Sequence, residues 1–358
     1  MAIFTDVFDD VTKLGRKMPT GEYHENGEYL IIDQGQNAIA GYTDETDGLF
    51  TDVPAIIFGD HTRVVKYVDT PCFLGADGVK LLKAKNPQAN HKYLYHVLAN
   101  AKIPNTGYNR HFKWLKEVNI PLPNEAEQQR IVEVLDRLDG LIALRKEQLA
   151  KLDEFVKARF VEMFGDITEV VPVRNYIKAL TAGKSLAGEE ECINKVLKTG
   201  AATYDEFDAS QVKNLPIDYT PASEHLLKDG DIIISRMNTS ELVGATAYVW
   251  EAPENTYLPD RLWRAELAPN VNAIFVWQML IQPSTKDQIR REASGTSGSM
   301  KNISKPGLLG IMVKKVPFEL QNKFANFVEQ TNKTKLTIQA SLDKLEVMKK
   351  ALMQEYFG

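Results

Sequence analysis

The sequence has little cysteine and no long apolar run. Cys72 and Cys192 lie in different halves, and neither has a second cysteine or a histidine nearby at metal-ligand spacing. This pattern argues against a disulfide framework or a zinc site and favours buried thiols in a reducing cytoplasm. A membrane span needs roughly 20 consecutive apolar residues, which the chain does not contain. The acidic residues 1–10 lack the basic region of a signal peptide, so we expect a cytoplasmic protein with no membrane segment.

The chain also lacks an excess of positive charge. It has 43 Lys and Arg against 48 Asp and Glu, which gives a net charge of −5. A free-standing nucleic-acid-binding protein usually has a basic surplus. The balance therefore predicts that any basic surface is local and is offset by acidic surfaces suited to protein partners. It does not exclude a DNA-binding subunit of a larger complex.

Recognisable catalytic motifs are missing as well. Residues 182–185, Ala-Gly-Lys-Ser, resemble the end of a nucleotide-binding P-loop, but Lys178 stands where the motif requires its first glycine. There is no Asn-Pro-Pro or Asp-Pro-Pro step of the kind that holds a target amine. The six histidines form no helical pair at metal-ligand spacing. The sequence thus offers no motif for catalysis, and we expect neither a cofactor nor a metal.

What the sequence does contain is an internal repeat. Its last residues, Glu355-Tyr356-Phe357-Gly358, repeat Glu162-Met163-Phe164-Gly165, and the offset of 193 residues between them holds without a gap over about forty residues upstream. Matching positions include Gln128 and Gln321, Leu149 and Leu342, Lys151 and Lys344, and Lys157 and Lys350. The repeat predicts a molecule built twice, from two globular blocks that are each followed by a similar segment.

The first repeated segment predicts one long amphipathic helix. Two prolines in 120–123 exclude a helix there, and Asn124 is suited to be its N-cap. Apolar residues then recur at spacings of three and four as far as Phe164. Gly165 is suited to end the helix in the left-handed conformation.

The second repeated segment predicts a matching helix after Val316-Pro317. Its apolar stripe is interrupted at Thr331, Thr334 and Lys335, where we expect looser packing. An exposed apolar stripe of this length is unstable in water, so the two helices are expected to pair as an antiparallel coiled coil with the blocks at opposite ends. Periodicity alone would also fit an ordinary core helix or an oligomerisation helix. Helices of that kind have no reason to keep the same length and the same terminal Phe-Gly, so the gap-free repeat argues against this alternative.

The predicted fold class is α+β. Short strand-like runs bounded by turn residues fill both blocks, for example 29–33, 55–59 and 231–235. We expect two globular mixed α/β domains separated by an antiparallel coiled coil of two long helices, with pseudo-two-fold symmetry. The predicted boundaries are 1–119 for the first domain, 120–165 for the first helix, 166–316 for the second domain and 317–358 for the second helix.

These motifs together resemble a type I restriction-modification DNA specificity subunit. The resemblance is carried by Ile-Pro-Leu-Pro at 120–123, Glu-Gln-Gln-Arg-Ile at 127–131 and the terminal Phe-Gly of each helix. Residues 230–236, 258–264 and 298–303 are similar to recognition-domain motifs of that family. The second helix departs from the pattern. Lys-Lys-Val-Pro at 314–317 stands in place of Ile-Pro-Leu-Pro, and Leu-Gln-Asn at 320–322 stands in place of Glu-Gln-Gln.

The resemblance implies a non-catalytic subunit that recognises a split sequence in double-stranded DNA, one half per target-recognition domain. It also implies recruitment of modification subunits, two in number, that methylate adenine, and of restriction subunits that act as motor and nuclease. A nucleic-acid enzyme with an unrecognised site and a coiled-coil scaffold that does not bind DNA remain as alternatives.

Candidate DNA contacts lie in two places of each block: just after its strongest strand, and just before its helix. Arg, Asn, Gln, Ser, Thr and Lys are the side chains that read base edges and phosphates. The candidates are His61, Arg63, Asn109, Arg110, His111 and Lys113 in the first block, and Arg236, Asn238, Ser297, Ser299, Lys301 and Asn302 in the second. For each of them the alternative is a structural role, such as an internal salt bridge or a satisfied histidine.

Overall fold

The computed structural model describes residues 1–295 and 300–358 and divides into two compact units. The first unit contains Met1–Glu147 and Gln339–Gly358, and the second contains Gln148–Ile338. Both dividing points fall inside long helices, so each unit holds part of each helix. The four boundaries predicted from composition stay a prediction.

The first unit is built on two small sheets and a strand pair. Its strands are β1 (Ala2–Ile3), β2 (Phe8–Asp10), β3 (Tyr29–Ile32), β4 (Gly41–Thr43), β5 (Ala55–Gly59), β6 (Val65–Val68), β7 (Cys72–Leu74), β8 (Val79–Ala84) and β9 (Asn119–Ile120), and its short helices are α1 (Phe4–Val7), α2 (His91–Ala99) and α3 (Phe112–Leu115). One sheet has the strand order β2-β8-β5-β6 with antiparallel pairing throughout. The other has the order β4-β3-β7, in which β3 and β7 are parallel.

Strand β5 lies at the centre of the first unit. All its residues are buried, because one face packs against the α2 and α3 side of the core and the other against the second sheet. Phe58 contacts the ring of Phe112, which precedes the long helix. The strand is therefore a rigid support for whatever follows Gly59.

The second unit repeats this architecture. Its strands are β10 (Val170–Pro172), β11 (Ile177–Thr181), β12 (Lys195–Leu197), β13 (Val212–Asn214), β14 (Ile232–Ser235), β15 (Met237–Asn238), β16 (Thr246–Tyr248), β17 (Thr256–Tyr257), β18 (Leu262–Leu267), β19 (Lys301–Asn302) and β20 (Met312–Lys314). The long helix α4 (Glu125–Phe164) precedes its short helices, which are α5 (Ala273–Leu280), α6 (Pro283–Glu292) and α7 (Lys305–Gly310). The sheet orders are β11-β18-β14-β16 and β13-β12-β17. They match the two sheets of the first unit strand for strand, with β14 in the place of β5. The duplication seen in the helices therefore extends to the globular blocks, whose sequences hide it.

The two long helices have the predicted positions and equal lengths. Helix α4 runs from Glu125 to Phe164 and α8 from Phe318 to Phe357, each with 40 residues. Their bounds differ by the 193-residue offset at both ends, which confirms the gap-free repeat. The side chain of Asn124 accepts a hydrogen bond from Glu127 N at 2.9 Å, which confirms the predicted N-cap.

The predicted left-handed ending at Gly165 is wrong. Gly165 is not among the glycines with positive φ, and its N–H donates to Val161 O, as Gly358 N–H donates to Gln354 O. A Cβ at either glycine would collide with that carbonyl oxygen. Glycine is needed at both ends for space rather than for a left-handed backbone.

The helices run antiparallel where they meet inside each unit. In the first unit Arg130 lies over the ring of Tyr356, and Lys146 contacts Glu346 at 2.9 Å. In the second, Asp153 contacts Lys335 and Phe160 packs on Phe324. Partner numbers on α8 fall as those on α4 rise, as antiparallel helices require. This confirms the predicted pairing of the two helices.

The interruption of the α8 stripe holds ion pairs beside an open space. Lys335 Nζ lies 2.6 Å from Asp153 Oδ1 and 3.4 Å from Glu206 Oε1. The hydroxyl of the buried Thr331 donates to Phe327 O. A cavity of about 330 Å³ borders Thr331 and Lys335. Among the described residues, no helix is both long and apolar enough to cross a membrane.

Candidate nucleic-acid interface

In the first unit, the buried strand β5 leads directly into a tight turn with polar side chains. Gly59 N donates to Val64 O and Arg63 N donates to Gly59 O, and Arg63 has φ +63°. Gln34 holds the turn from the second sheet, because its Oε1 accepts from His61 N and its carbonyl oxygen accepts from Thr62 Oγ1. The turn is thus fixed from two sides.

The turn is joined to the segment that precedes the long helix. Asp60 is 3% exposed, and its backbone oxygen accepts from His111 N at 2.7 Å and lies 3.0 Å from His111 Nδ1. Its Oδ1 accepts from Phe112 N at 2.7 Å, at the start of α3. The two candidate segments of the first block, far apart in sequence, therefore form one structural element.

The loop between these anchors presents an aromatic ring at its tip. Gly107 has φ +77°, and Asn109 closes the turn by donating from Nδ2 to Thr106 O. The ring of Tyr108 stacks on that of His61, with centroids 4.7 Å apart and planes 8° from parallel. Tyr108 is nevertheless 89% exposed, because only one face of its ring is covered.

The structure separates the predicted contact residues of the first block by exposure. Asn109, Arg110 and Lys113 are exposed, and Lys113 Nζ lies 4.1 Å from the ring of Trp114. His61 and Arg63 are half-buried, and Arg63 NH1 donates to Ile103 O at 3.3 Å.

His111 differs from the other candidates because it is 0% exposed. Both its backbone N–H and its ring nitrogen face the Asp60 carbonyl oxygen. His111 therefore has the structural role that was the alternative to DNA contact: its hydrogen bonds anchor the loop, and its side chain is not accessible to a ligand.

In the second unit, the equivalent buried strand leads into a two-stranded ribbon. Strand β14 is followed by Arg236 and then by β15, which pairs antiparallel with β19. Met237 lies opposite Asn302, and Asn238 lies opposite Lys301. The two candidate segments of the second block are thus also brought together.

The ribbon is held at both sides. Arg236 N donates to Arg261 O, Arg236 O accepts from Ile303 N, and its guanidinium lies 5.6 Å from the ring centre of Trp263. Asn302 exchanges backbone hydrogen bonds with Ser294. Within the described part of the chain, neither Arg236 Nε nor Asn302 Oδ1, both buried, has a hydrogen-bond partner. Lys301 Nζ donates to Gly295 O at 2.9 Å.

Two candidates of the second block, Ser297 and Ser299, lie outside the described residues. Other charged residues of the second block have internal roles. Arg264 donates to Leu226 O and Glu224 O, and lies 3.5 Å from Asp231 Oδ2. Burial raises the pKa of the Asp231 carboxyl group, against the opposing effects of a hydrogen bond from Lys228 N and of Arg264.

The segment that precedes the long helix in the first block carries positive charge without a carboxylate in its own sequence. The segment 101–113 contains Lys102, Arg110 and Lys113 and no Asp or Glu. The turn after β5 adds the half-buried Arg63, whereas Lys66 in β6 is buried and lies 3.4 Å from the carboxylate of Asp33. A local basic surface is therefore present on a chain of net negative charge, as its composition predicts.

The residues that hold the interface in place cannot be recognised from local sequence. Asp60 and Gln34 act through hydrogen bonds that join distant segments, and no local pattern indicates them. Tyr108 lies within a predicted segment, but its exposure depends on the turn at Gly107, which the sequence does not reveal. No group of His, Cys, Asp and Glu in the described ranges is arranged to hold a metal ion.

Comparisons of the sequence with known proteins give matches of one kind. Residues 5–154 match the family described as Type I restriction modification DNA specificity domain. The chain is 26% identical over 235 residues to the Type I restriction enzyme EcoKI specificity subunit of Escherichia coli (strain K12), covering 60% of this chain and 50% of that subunit. It is 27% identical over 135 residues to the EcoR124I/EcoR124II specificity subunit of Escherichia coli, covering 34% of this chain and 33% of that one. The match thus spans half or less of these curated relatives.

The fold is similar to that of solved specificity subunits. The S subunit of the type I restriction-modification system from M. genitalium has a TM-score of 0.58 and 19% identity, covering 99% of this chain and 95% of that one. A second chain, from a study of complex assembly and conformational transition of the type I R-M system, has a TM-score of 0.51 at 14% identity, covering 98% and 97%. At such identities the likeness shows the fold alone, and it confirms the predicted class of mixed α/β blocks with two long antiparallel helices.

Proposed function

We propose that the chain is the DNA-recognition subunit of a type I restriction-modification complex, on the basis of the match of residues 5–154 to the type I restriction modification DNA specificity domain. The chain binds double-stranded DNA and does not itself catalyse a reaction. This proposal extends the predicted resemblance, which the family match and the fold similarity support.

Each unit reads one half of a bipartite target. The observation that carries this proposal is the duplication of the interface: in both units, the segment after the buried central strand is hydrogen-bonded to the segment before the long helix. Rigid strands that deliver donors to one surface are suited to hold base contacts in register. The contact residues are Arg63, Asn109, Arg110 and Lys113 in the first unit, and Arg236, Asn238, Lys301 and Asn302 in the second, with His61 and His111 positioning the first loop. Ser297 and Ser299 remain candidates for the second unit.

The partners are modification subunits, two in number, which methylate adenine, and restriction subunits, which supply the motor and nuclease. Support for this comes from the similarity to specificity subunits of type I restriction enzymes and from the charge of the chain. With a net charge of −5, the isolated chain has little general attraction for DNA, so stable binding is expected to need a partner that adds positive charge. The complex is expected to act in the cytoplasm.

The test is methylome sequencing of a host that expresses this chain with its partner subunits. A bipartite motif with methylated adenine is expected. Replacing residues 166–316 by the corresponding domain of a relative should then change one half of the motif and leave the other half intact. The unmodified chain is the control, and a change in both halves would contradict the assignment of one half to each unit.

The rival functions predict different results. Turnover by the purified chain in a methylation or nuclease assay without partners would favour an enzyme with an unrecognised site. For a scaffold that does not bind DNA, replacing Arg236 and Asn238 together would leave the DNA affinity of the complex unchanged. We expect no turnover by the chain alone and a loss of affinity in the double variant.

A further inference from the structure

We propose that the free face of Tyr108 stacks on a nucleobase of the first half-site, with His61 as the ring that supports it from behind. This inference rests on the proposed function and names a contact that neither the family match nor the predicted donors assign. The site consists of Tyr108, His61 and the cationic side chains of the same loop.

The geometry is that of a two-ring platform with one open side. The rings of His61 and Tyr108 are 4.7 Å apart and almost parallel, at 8°. His61 covers the inner face of Tyr108, and the 89% exposure of Tyr108 leaves the outer face open. A flat aromatic ring placed on that face would continue the stack.

The platform is held in position before any ligand arrives. His61 N donates to Gln34 Oε1 at 3.1 Å, which fixes the lower ring. The loop that carries Tyr108 is closed by Asn109 and anchored at its end by the Asp60 carboxylate. An exposed aromatic side chain held in this way loses little conformational entropy when it binds, which favours a role in contact.

The surrounding charge indicates a nucleic acid as the ligand. Lys102, Arg110 and Lys113 lie in the same segment as Tyr108, and that segment has no carboxylate. Phosphate groups would be attracted to these cations, and a base would lie between them at the ring. Trp114, the other large aromatic nearby, is already occupied by the ring of His111 and by Lys113 Nζ.

A base can reach the ring only if it leaves its own stack. Such unstacking costs a few kcal/mol in a duplex and less at a mismatched pair. Stacking of a base on an aromatic side chain contributes about 1–3 kcal/mol by alanine substitution. Tyr108 therefore couples recognition of the first half-site to local distortion of the DNA, so its contribution should depend on how easily the base is unstacked.

The experiment uses the full chain in complex with its modification subunits and a duplex bearing the motif found by methylome sequencing. Dissociation constants are measured for the wild type, Tyr108→Ala and Tyr108→Phe. Tyr204→Ala is the matched control, because Tyr204 is also a highly exposed tyrosine, at 80%, but lies in the second unit. We expect a loss of up to about 10-fold for Tyr108→Ala, because the cost of unstacking the base offsets part of the stacking energy, and about the wild-type value for Tyr108→Phe and Tyr204→Ala.

Two further measurements separate stacking from other roles. The fluorescence of 2-aminopurine placed along the first half-site should change at one position when the wild-type complex binds, and the change at that position should differ with Tyr108→Ala, because the ring that stacks on the probe is missing. A mismatch at that position should strengthen binding of the wild type and give no gain with Tyr108→Ala. Thermal melting of Tyr108→Ala should equal that of the wild type, because the side chain is exposed.

The results that overturn the proposal are distinct from those that overturn the function. If Tyr108→Ala binds as tightly as the wild type, or if Tyr108→Phe loses as much as Tyr108→Ala, the stacking contact is absent. If the wild-type complex does not distinguish the motif from a scrambled duplex, the proposed DNA-recognition function fails, and the stacking contact fails with it.

Discussion

Asp60 joins two distant segments of the first unit through a single buried residue. Its carbonyl oxygen faces His111, and its carboxylate accepts from Phe112 N at 2.7 Å. Gln34 fixes the same turn from the second sheet. At the scale of residues, the interface therefore depends on buried hydrogen bonds whose members do not touch DNA.

Replacing Asp60 tests this dependence. Asp60→Ala leaves the buried Phe112 N–H without an acceptor, and an unpaired group of this kind costs about 1–3 kcal/mol. The free energy of unfolding, measured by urea titration, should fall by that amount, and the DNA affinity of the complex should fall with it. Asp60→Asn keeps an acceptor oxygen and should lose less. Equal losses in the two variants would contradict the role given to this hydrogen bond.

Two buried histidines of α2 make the stability of the first unit depend on pH. Burial lowers the pKa of both His91 and His96. At His96 this effect outweighs Asp136, whose carboxylate lies 3.5 Å away, and Asp139, which both act to raise the pKa, and Lys349 acts to lower it further. Both stay neutral in the folded chain at a pH at which the unfolded chain, with histidine pKa near 6.5, takes up protons. Their contribution is thus present above about pH 6.5 and is lost as the pH falls below it.

The corresponding prediction concerns His96→Gln. Wild-type stability should decrease from pH 7 to pH 5, and the decrease should be smaller in His96→Gln, because the variant has no buried imidazole to protonate. Urea titrations at a series of pH values measure it. His24→Gln, which changes an exposed histidine, is the control and should show the wild-type slope.

At the scale of elements, the two long helices share one sequence pattern, but equivalent positions of the two helices pack into different cores. Ile131 of α4 and Phe324 of α8 are equivalent under the 193-residue offset, and both are buried. Ile131 belongs to the core of the first unit, whereas Phe324 packs on the rings of Phe160 and Phe164 in the second. Near its N-terminus, each helix therefore packs into the core of a different unit.

Phe324→Ala should destabilise the second unit selectively. Removing a fully buried phenylalanine costs about 3–5 kcal/mol. Leu336→Ala, on the same helix but at a side chain that is 63% exposed, should change stability by less than about 0.5 kcal/mol. Hydrogen exchange resolves the two units: protection should fall in Gln148–Ile338 and remain in Met1–Glu147. Uniform loss across both would contradict an independent core in the second unit.

At the scale of the whole molecule, the net charge and the local charge have opposite effects on attraction to DNA. The net charge of −5 limits general attraction to DNA, while the acid-free segment 101–113 provides local attraction. Under the proposed function, affinity for DNA should then depend on a small number of phosphate contacts and on the partner subunits.

The salt dependence of binding measures these contacts. The slope of log K against log salt changes by about 0.9 for each phosphate contact removed. The double variant Arg110→Gln and Lys113→Gln should reduce the slope of the complex by up to about 1.8 if both side chains contact phosphates. Lys344→Gln, at an exposed position on α8, is the control and should leave the slope unchanged. An unchanged slope in the double variant would remove both residues from the interface.

The sequence by itself determined the long helices, their equal lengths and the duplication of the chain. These features follow from local rules: prolines exclude a helix before Asn124, that residue caps it, and apolar spacing carries it to Phe164. The pairing of α4 with α8 could also be predicted, because an apolar stripe of that length must be covered. The segments that form the candidate interface were predicted for the same reason, since each follows a strand or precedes a helix.

Only the tertiary structure decided which residues of those segments face outwards. His111 and Tyr108 are three residues apart in similar polar surroundings, yet one is fully buried and the other is almost fully exposed. The difference arises from Asp60, about fifty residues earlier in the chain, and from the turn at Gly107. The matching sheet orders of the two blocks were equally hidden, because many sequences satisfy the same strand pairing. Burial and strand order depend on contacts between distant residues, whereas a helix and its cap depend on neighbours along the chain.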